Sequence, residues 1–79
     1  MEPTNQGIDI SALTLGQRVE RLRQDRDMTQ EDLAALVGRS EEWVAQVEQD
    51  AQPITMFENI ALSVNLGVTL RELRDGVAG

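Results

Sequence analysis

The sequence predicts an all-α protein built from five short helices. The first indication is a set of hydroxyl residues that each precede a helix-compatible stretch and can cap a helix N-terminus. These residues are Thr14, Thr29, Ser40, Thr55 and Thr69. Three of the five have Gln or Glu three positions later, which completes a capping box, and Asp32 gives Thr29 a shortened version. Between the caps apolar residues recur at helical spacing, and no strand-like alternation appears.

The first two helices are predicted over residues 15–26 and 30–37. In the first, Leu15, Val19 and Leu22 form one apolar stripe on an otherwise charged helix. The second is rich in Leu, Ala and Val and stops at Gly38, because glycine readily takes the left-handed conformation of a helix end.

The other three helices are predicted over residues 41–49, 56–66 and 70–74. Val44 and Val47 give the third helix a buried side, Pro53 marks a loop, and Gly67 ends the fourth. A chain of 79 residues has enough core for one domain. We therefore expect a flexible N-terminal arm over residues 1–12, one domain over residues 13–75 and a C-terminal tail over residues 76–79.

The composition argues against catalysis. The chain has no cysteine and no histidine, so disulfides, thiolate metal sites and the commonest general base are missing. We expect a protein that is not an enzyme and that uses no metal or cofactor.

No apolar run reaches the roughly 18 residues of a membrane span, and the first residues lack a signal-peptide pattern. We therefore expect a cytoplasmic protein without a membrane partner.

Residues 29–49 form the centre of the predicted domain. Two short helices joined by a few residues, with glycine ending the first, make a helix-turn-helix unit. Its diagnostic residues are Met28-Thr29-Gln30-Glu31-Asp32-Leu33-Ala34, then Val37-Gly38-Arg39-Ser40, then Trp43-Val44 and Val47-Glu48. This segment resembles the Cro and phage-repressor class of helix-turn-helix regulators, the XRE family. The match extends over residues 15–73 and implies a lambda-repressor-like DNA-binding domain that acts as a sequence-specific transcription regulator.

The resemblance also implies which residues meet double-stranded DNA. In the family the second helix of the unit lies in the major groove, and its first turns present side chains to base edges. The base-facing candidates are Ser40, Glu41, Glu42 and Gln46. Gln30 matches the family's phosphate-binding glutamine at a helix N-terminus, where N–H groups and a partial positive charge attract phosphate. Arg39 and Trp43 are the candidates for further contacts with the DNA backbone.

Several of these residues also have interpretations that need no DNA. Ser40 would cap its helix in any case. Glu41 and Glu42 lie in a first turn, where the helix dipole favours acidic residues, and Trp43 would pack against the second helix. Gln46 is the strongest functional candidate, because glutamine can bond adenine bidentately and the fold does not require this side chain if the two valines point inward.

The first-helix arginines divide into two groups. Arg23 and Glu48 match a family pair that braces the fold, so we predict a structural ion pair between them. Arg18, Arg21 and Arg26 are then either phosphate contacts or ordinary solvated surface, and the second interpretation is favoured.

The charge of the protein conflicts with DNA binding. Seven arginines stand against fourteen acidic residues, which gives a net charge of −7, and between residues 29 and 50 the only basic residue is Arg39. Carboxylates repel phosphates, although glutamate can accept a hydrogen bond from cytosine N4. An alternative function is therefore an acidic protein-interaction module that uses the helix-turn-helix scaffold to bind a basic protein partner.

The fourth helix predicts self-association. The resemblance places Met56, Asn59, Leu62, Ser63 and Leu66 on its inner side. A second apolar stripe remains, formed by Phe57, Ile60, Ala61 and Val64. This stripe predicts a twofold homodimer with recognition helices about 34 Å apart. The alternative is a rotated helix that buries Phe57 and Ile60 in the core of the domain.

Overall fold

The structure of this protein, a computed structural model, describes residues 12–76. Its helices are α1 (Leu15–Asp25), α2 (Gln30–Val37), α3 (Glu41–Glu48), α4 (Met56–Leu66) and α5 (Leu70–Asp75). Residues 12–76 contain no strand, so the prediction of an all-α domain with five helices is confirmed. Relative to the predicted bounds, α1 and α3 end one residue earlier and α5 one residue later. Except for Ala12 and Gly76, the predicted arm and tail lie outside the described residues.

All five predicted hydroxyl caps are present in the structure. In each, the side-chain oxygen accepts a hydrogen bond from the backbone N–H three positions on. Thr29 has a complete capping box, because the Asp32 carboxylate reaches back to the Thr29 N–H at 3.0 Å. The helix boundaries therefore follow from local hydrogen bonds of the backbone.

One hydrophobic core joins all five helices. Its fully or nearly fully buried members are Val19, Leu22, Leu33, Ala34, Trp43, Val44, Val47, Leu62, Leu66 and Leu73. The third helix packs against α1 and α2, while α4 packs against α1, α2 and α5. None of the helices in residues 12–76 has the length and apolar character that crossing a bilayer requires.

Arg18 has a structural role that the sequence did not predict. Its side chain is buried, its Nε donates to the Leu73 carbonyl at 2.7 Å, and its Nη2 donates to the Arg74 carbonyl at 2.6 Å. Its Nη1 also donates to the carbonyl of Leu13. Both sequence interpretations of Arg18, phosphate contact and solvated surface, are therefore wrong, since this guanidinium fastens the start of α1 to α5.

The N-terminus of α1 is also fixed to the end of α3. Asp50 follows α3 with a φ of 58°, and its Oδ1 accepts a hydrogen bond from the Gly16 N–H at 2.9 Å. Its Oδ2 accepts a hydrogen bond from the Thr14 hydroxyl at 2.6 Å. The backbones approach so closely here that a Cβ on Gly16 would come within 2.7 Å of the Glu48 carbonyl oxygen. These contacts fix the end of α3 to the start of α1.

Candidate nucleic-acid interface

The turn between α2 and α3 is short and fixed by the backbone. Gly38 ends α2 in the left-handed region with a φ of 73°, and the Arg39 N–H donates to the Ala34 carbonyl at 2.9 Å. Ser40 follows in an extended conformation and caps α3 by accepting a hydrogen bond from the Trp43 N–H at 3.0 Å. The turn therefore passes directly from the end of one helix to the cap of the next.

The outer side of α3 is open to solvent in the part of the chain that the structure describes. Ser40, Glu41 and Glu42 are exposed, and Gln46 is half-buried. Glu42 and Gln46 lie four positions apart, so they share one face of the helix. The inner side is closed, because Val44 and Val47 are fully buried. The structure thus places Ser40, Glu41 and Glu42 on the exposed surface, with the half-buried Gln46 one turn after Glu42.

Trp43 lies on the inner side of α3. It is only 6% exposed and belongs to the hydrophobic core, and its indole Nε1 has no hydrogen-bond partner among residues 12–76. So little exposed surface leaves the ring few atoms to offer a phosphate. The interpretation of Trp43 as a contact with the DNA backbone is therefore replaced by the alternative, in which it packs within the domain.

Arg39 is held between two neighbouring side chains. Its guanidinium carbon lies 5.2 Å from the centroid of the Trp43 ring, a cation–π arrangement. Its Nη2 lies 3.3 Å from Oε2 of Glu58, at the start of α4, and the Arg39 side chain remains 45% exposed. The cation is thus positioned beside the N-terminus of α3 and is paired at the same time.

Gln30 belongs to a network at the junction of α1, α2 and α3. Its Nε2 donates to Oε1 of Glu48 at 2.9 Å, and the same carboxylate accepts from Arg23 Nε at 2.7 Å and Arg23 Nη2 at 3.1 Å. Hydrogen bonding to Glu48 raises the pKa of Arg23, against the opposing effect of its burial. The predicted structural pair of Arg23 and Glu48 is confirmed, and it fixes the orientation of the Gln30 amide.

The N-terminus of α2 keeps backbone donors that its cap does not use. Thr29 accepts from the N–H of Asp32, and the Asp32 carboxylate accepts from the N–H of Thr29. The first-turn N–H groups of Gln30 and Glu31 have no acceptor within the helix. This end of α2 can therefore offer two N–H groups and the positive end of the helix dipole to an anion.

Half of the acidic residues between positions 29 and 50 have partners inside the domain. Asp32 completes a cap, Glu48 pairs with Arg23, and Asp50 binds the start of α1. The exposed carboxylates without such a role are those of Glu31, Glu41 and Glu42. Within residues 29–50, only Glu48 is neutralised by a cation, whereas the hydrogen-bonded carboxylates of Asp32 and Asp50 keep their negative charge.

The structure decides between the two registers of α4. Leu62 and Leu66 are fully buried and Asn59 and Ser63 nearly so, whereas Phe57 and Val64 are 84% and 70% exposed. Ile60 is exposed and Ala61 half-buried. The rotated helix is therefore wrong, and the stripe of Phe57, Ile60, Ala61 and Val64 lies on the outside of the domain.

Met56 also departs from the prediction, since it is 49% exposed instead of inward-facing.

Two residues near the helix-turn-helix unit, Asp50 and Glu58, make contacts in the structure that the sequence did not indicate. Glu58 was recognisable as the last residue of a capping box, yet it also pairs with Arg39. Asp50 was recognisable only as one of the acidic residues between positions 29 and 50, yet its carboxylate accepts hydrogen bonds from the start of α1. No local pattern indicated this role, because Asp50 and Gly16 lie 34 positions apart in the sequence.

Comparison with known proteins identifies the family. The model of the helix-turn-helix domain family matches residues 14–62, more than half of the chain. The chain belongs to this helix-turn-helix family, and the resemblance to Cro and phage repressors found in the sequence is confirmed. A comparison with curated proteins finds no match.

Solved structures of regulators share the fold. The restriction-modification controller protein C.AhdI from Aeromonas hydrophila is 32% identical with a TM-score of 0.72, over 75% of this chain and 89% of its own. The P22 c2 repressor, solved with a synthetic operator, is 24% identical with a TM-score of 0.79, over 84% of this chain and 100% of its own. SinR of Bacillus subtilis, solved with DNA, is 21% identical with a TM-score of 0.71, over 76% of this chain and 97% of its own.

Proposed function

We propose that this chain is a sequence-specific DNA-binding transcription regulator that places the first turns of α3 in the major groove and acts as a homodimer. The observation that carries the proposal is the two-sided character of α3. Its inner side is buried through Val44 and Val47, while Ser40, Glu41 and Glu42 project into solvent. A single helix held in this way fits a major groove about 12 Å wide.

The side chains of α3 favour particular bases. Gln46 can bond adenine bidentately through N6 and N7, and the carboxylates of Glu41 and Glu42 can accept from cytosine N4. The Ser40 oxygen already accepts the Trp43 N–H, which leaves its hydroxyl hydrogen to donate to a base or a phosphate. We therefore expect a half-site that contains adenine and cytosine on the strand facing α3.

The contacts with the DNA backbone are few. Arg39 supplies the one basic side chain of the unit, and Gln30 and the first-turn N–H groups of α2 supply neutral donors. Affinity that depends on phosphate contacts grows with the number of cations that displace counterions. One domain should consequently bind weakly, and a dimer that engages two half-sites should bind much more tightly.

The homodimer is proposed to form through the outer stripe of α4. Phe57 and Val64 lie two turns apart on this helix with Ile60 between them, and all three are exposed in residues 12–76. A twofold axis through this stripe would bring the same residues of a second copy into contact. The two copies of α3 would then meet successive major grooves, about 34 Å apart.

Selection from a random duplex library of about two helical turns tests the proposal, with binding measured by fluorescence anisotropy at two salt concentrations. The expected result is a motif of two related half-sites whose binding weakens with salt. Gln46→Ala should abolish selection at one base pair per half-site. Gln24→Ala, at an exposed position of α1, should select the unchanged motif. An absence of sequence-selective binding even at low salt would overturn the proposed function.

A further inference from the structure

The guanidinium of Arg39 is held by groups that are themselves fixed. The Trp43 ring beside it is part of the core, and the Glu58 carboxylate that pairs with it at 3.3 Å also accepts the Thr55 N–H at 2.9 Å through its other oxygen. The Glu58 side chain is only 19% exposed, whereas that of Arg39 is 45% exposed. Glu58 is therefore the more buried partner and is held by a second hydrogen bond, whereas Arg39 is the more solvent-exposed partner.

This pairing matters because charge is scarce on the proposed DNA surface. Arg39 is the only basic residue between positions 29 and 50. A phosphate that approaches its guanidinium also approaches the Glu58 carboxylate, and the two anions repel each other. The charge that would attract DNA is thus already paired with a carboxylate in the free protein.

We propose that Glu58 is a positioning residue that holds Arg39 against α4 in the free protein and competes with a DNA phosphate for it. This inference rests on the proposed function and adds a determinant of affinity that lies outside the helix-turn-helix unit. Binding of DNA then requires Arg39 to leave or share the Glu58 carboxylate. Since phosphate contacts carry no base information, the ion pair weakens binding to every duplex and does not alter base preference.

The chain itself supplies the variant that isolates the charge. In the capping box of α1, the Gln17 side chain accepts a hydrogen bond from the Thr14 N–H at 2.9 Å. A glutamine at position 58 can therefore accept the Thr55 N–H as Glu58 does in α4. Glu58→Gln therefore keeps the cap and removes the competing charge. Glu72→Gln is the matched control, because Glu72 completes the same kind of box in α5 by accepting the Thr69 N–H at 2.8 Å.

The experiment measures anisotropy with the duplex selected by the unaltered chain and with a scrambled duplex, across a range of salt. Glu58→Gln should tighten binding to both duplexes about three- to tenfold at low salt and steepen the dependence of log K on log salt by about 0.9, the contribution of one phosphate contact. Glu72→Gln should change neither by more than about twofold. In an Arg39→Gln background, Glu58→Gln should have no larger effect than Glu72→Gln. Circular dichroism and urea midpoints establish that each variant is folded.

Two results would overturn the inference while leaving the proposed function intact. Unchanged or weaker binding by folded Glu58→Gln would mean that Glu58 does not compete for Arg39. An equal gain with and without Arg39 would mean that the carboxylate merely repels DNA at a distance. If the unaltered chain binds no duplex at all, the proposed function fails, and the inference fails with it.

Discussion

Arg23 of α1 and Glu48 of α3 are joined by two hydrogen bonds inside the domain, from Nε to Oε2 at 2.7 Å and from Nη2 to Oε1 at 3.1 Å. The side chains are 10% and 4% exposed, so water screens the pair poorly. The same carboxylate accepts from Gln30, and Arg23 also donates to the Met28 carbonyl at 2.7 Å. One ion pair therefore fixes α1 to α3 and orients the glutamine proposed to meet a phosphate.

Arg23→Ala is expected to lower the free energy of unfolding by about 3 kcal/mol, because it leaves a buried carboxylate without its cation. Urea unfolding followed by circular dichroism measures the loss. Arg21→Ala is the control, since Arg21 pairs with Asp25 at 3.3 Å on the solvent side of α1. That exposed pair should contribute about 0–1 kcal/mol. Equal losses in the two variants would contradict the structural role assigned to Arg23.

Glu42→Gln is expected to change the preferred base at one position from cytosine to adenine. The carboxylate can only accept hydrogen bonds, whereas glutamine can both donate and accept, which suits the N6 and N7 edge of adenine. Repeating the duplex selection measures the change, which should be worth about 1–3 kcal/mol at that position.

The control for this substitution is Glu31→Gln, which removes the same charge from an exposed position of α2. It should raise affinity for all duplexes alike without altering the selected sequence. A Glu42→Gln variant that also gains affinity uniformly, with the same motif as the unaltered chain, would remove Glu42 from the set of base-reading residues.

Phe57→Glu is expected to convert the proposed homodimer to a monomer. The Phe57 side chain is 84% exposed within one protomer, so a charge there should leave the fold intact and disrupt only an interface. Sedimentation velocity over micromolar concentrations measures the oligomeric state. Leu36→Glu places the same charge at another exposed apolar residue, 56% exposed on α2, and should leave the dimer unchanged. An unaltered chain that is monomeric throughout this range would contradict the dimer.

The cap of α2 should contribute a pH-dependent part of the stability. The hydrogen bond from the Thr29 backbone N–H lowers the pKa of Asp32, and a contact with the Thr29 side chain acts in the same direction. The folded pKa thus lies below the unfolded value of about 3.9. The resulting stability is fully present above the unfolded pKa and is lost as the pH falls through the folded pKa.

Asp32→Asn tests this linkage. The difference in unfolding free energy between the unaltered chain and the variant should be constant near neutral pH and should shrink once the pH falls below about 4. Urea unfolding over an acid series measures it. A difference that persists unchanged into strong acid would show that the Asp32 carboxylate is not its source.

Features that depend on near neighbours in sequence could be predicted. Thr14, Thr29, Ser40, Thr55 and Thr69 mark the helix starts because each cap bonds a group three residues away. The sequence left two registers open for α4, because the correct register buries a polar residue, Asn59. In the structure Asn59 is nonetheless buried: its Nδ2 donates to the Thr55 carbonyl at 3.2 Å, while its Oδ1 has no hydrogen-bond partner among residues 12–76. The packing of α4 therefore outweighs a cost that one hydrogen bond only partly offsets.

The contacts that hold the candidate site together could not be predicted in the same way. Arg39 and Glu58, like Asp50 and Gly16, meet only because separate helices pack against each other, and no spacing rule connects them. The family resemblance supplied the pair of Arg23 and Glu48, but it supplied none of these other contacts. Trp43 shows the same limit: its position four residues before Val47 is compatible with burial, but the sequence left both packing and contact with the DNA backbone open.

The position of Arg18 has a consequence for engineering this protein. One guanidinium bonds the carbonyls of Leu13, Leu73 and Arg74, so the backbone enters and leaves the helical domain at the same corner. A short linker could therefore join the two points, and new termini could be opened in the loop between α3 and α4, where Ala51 and Pro53 are exposed. Such a circular permutant would carry the linker on the side of the domain where Arg18 binds these carbonyls.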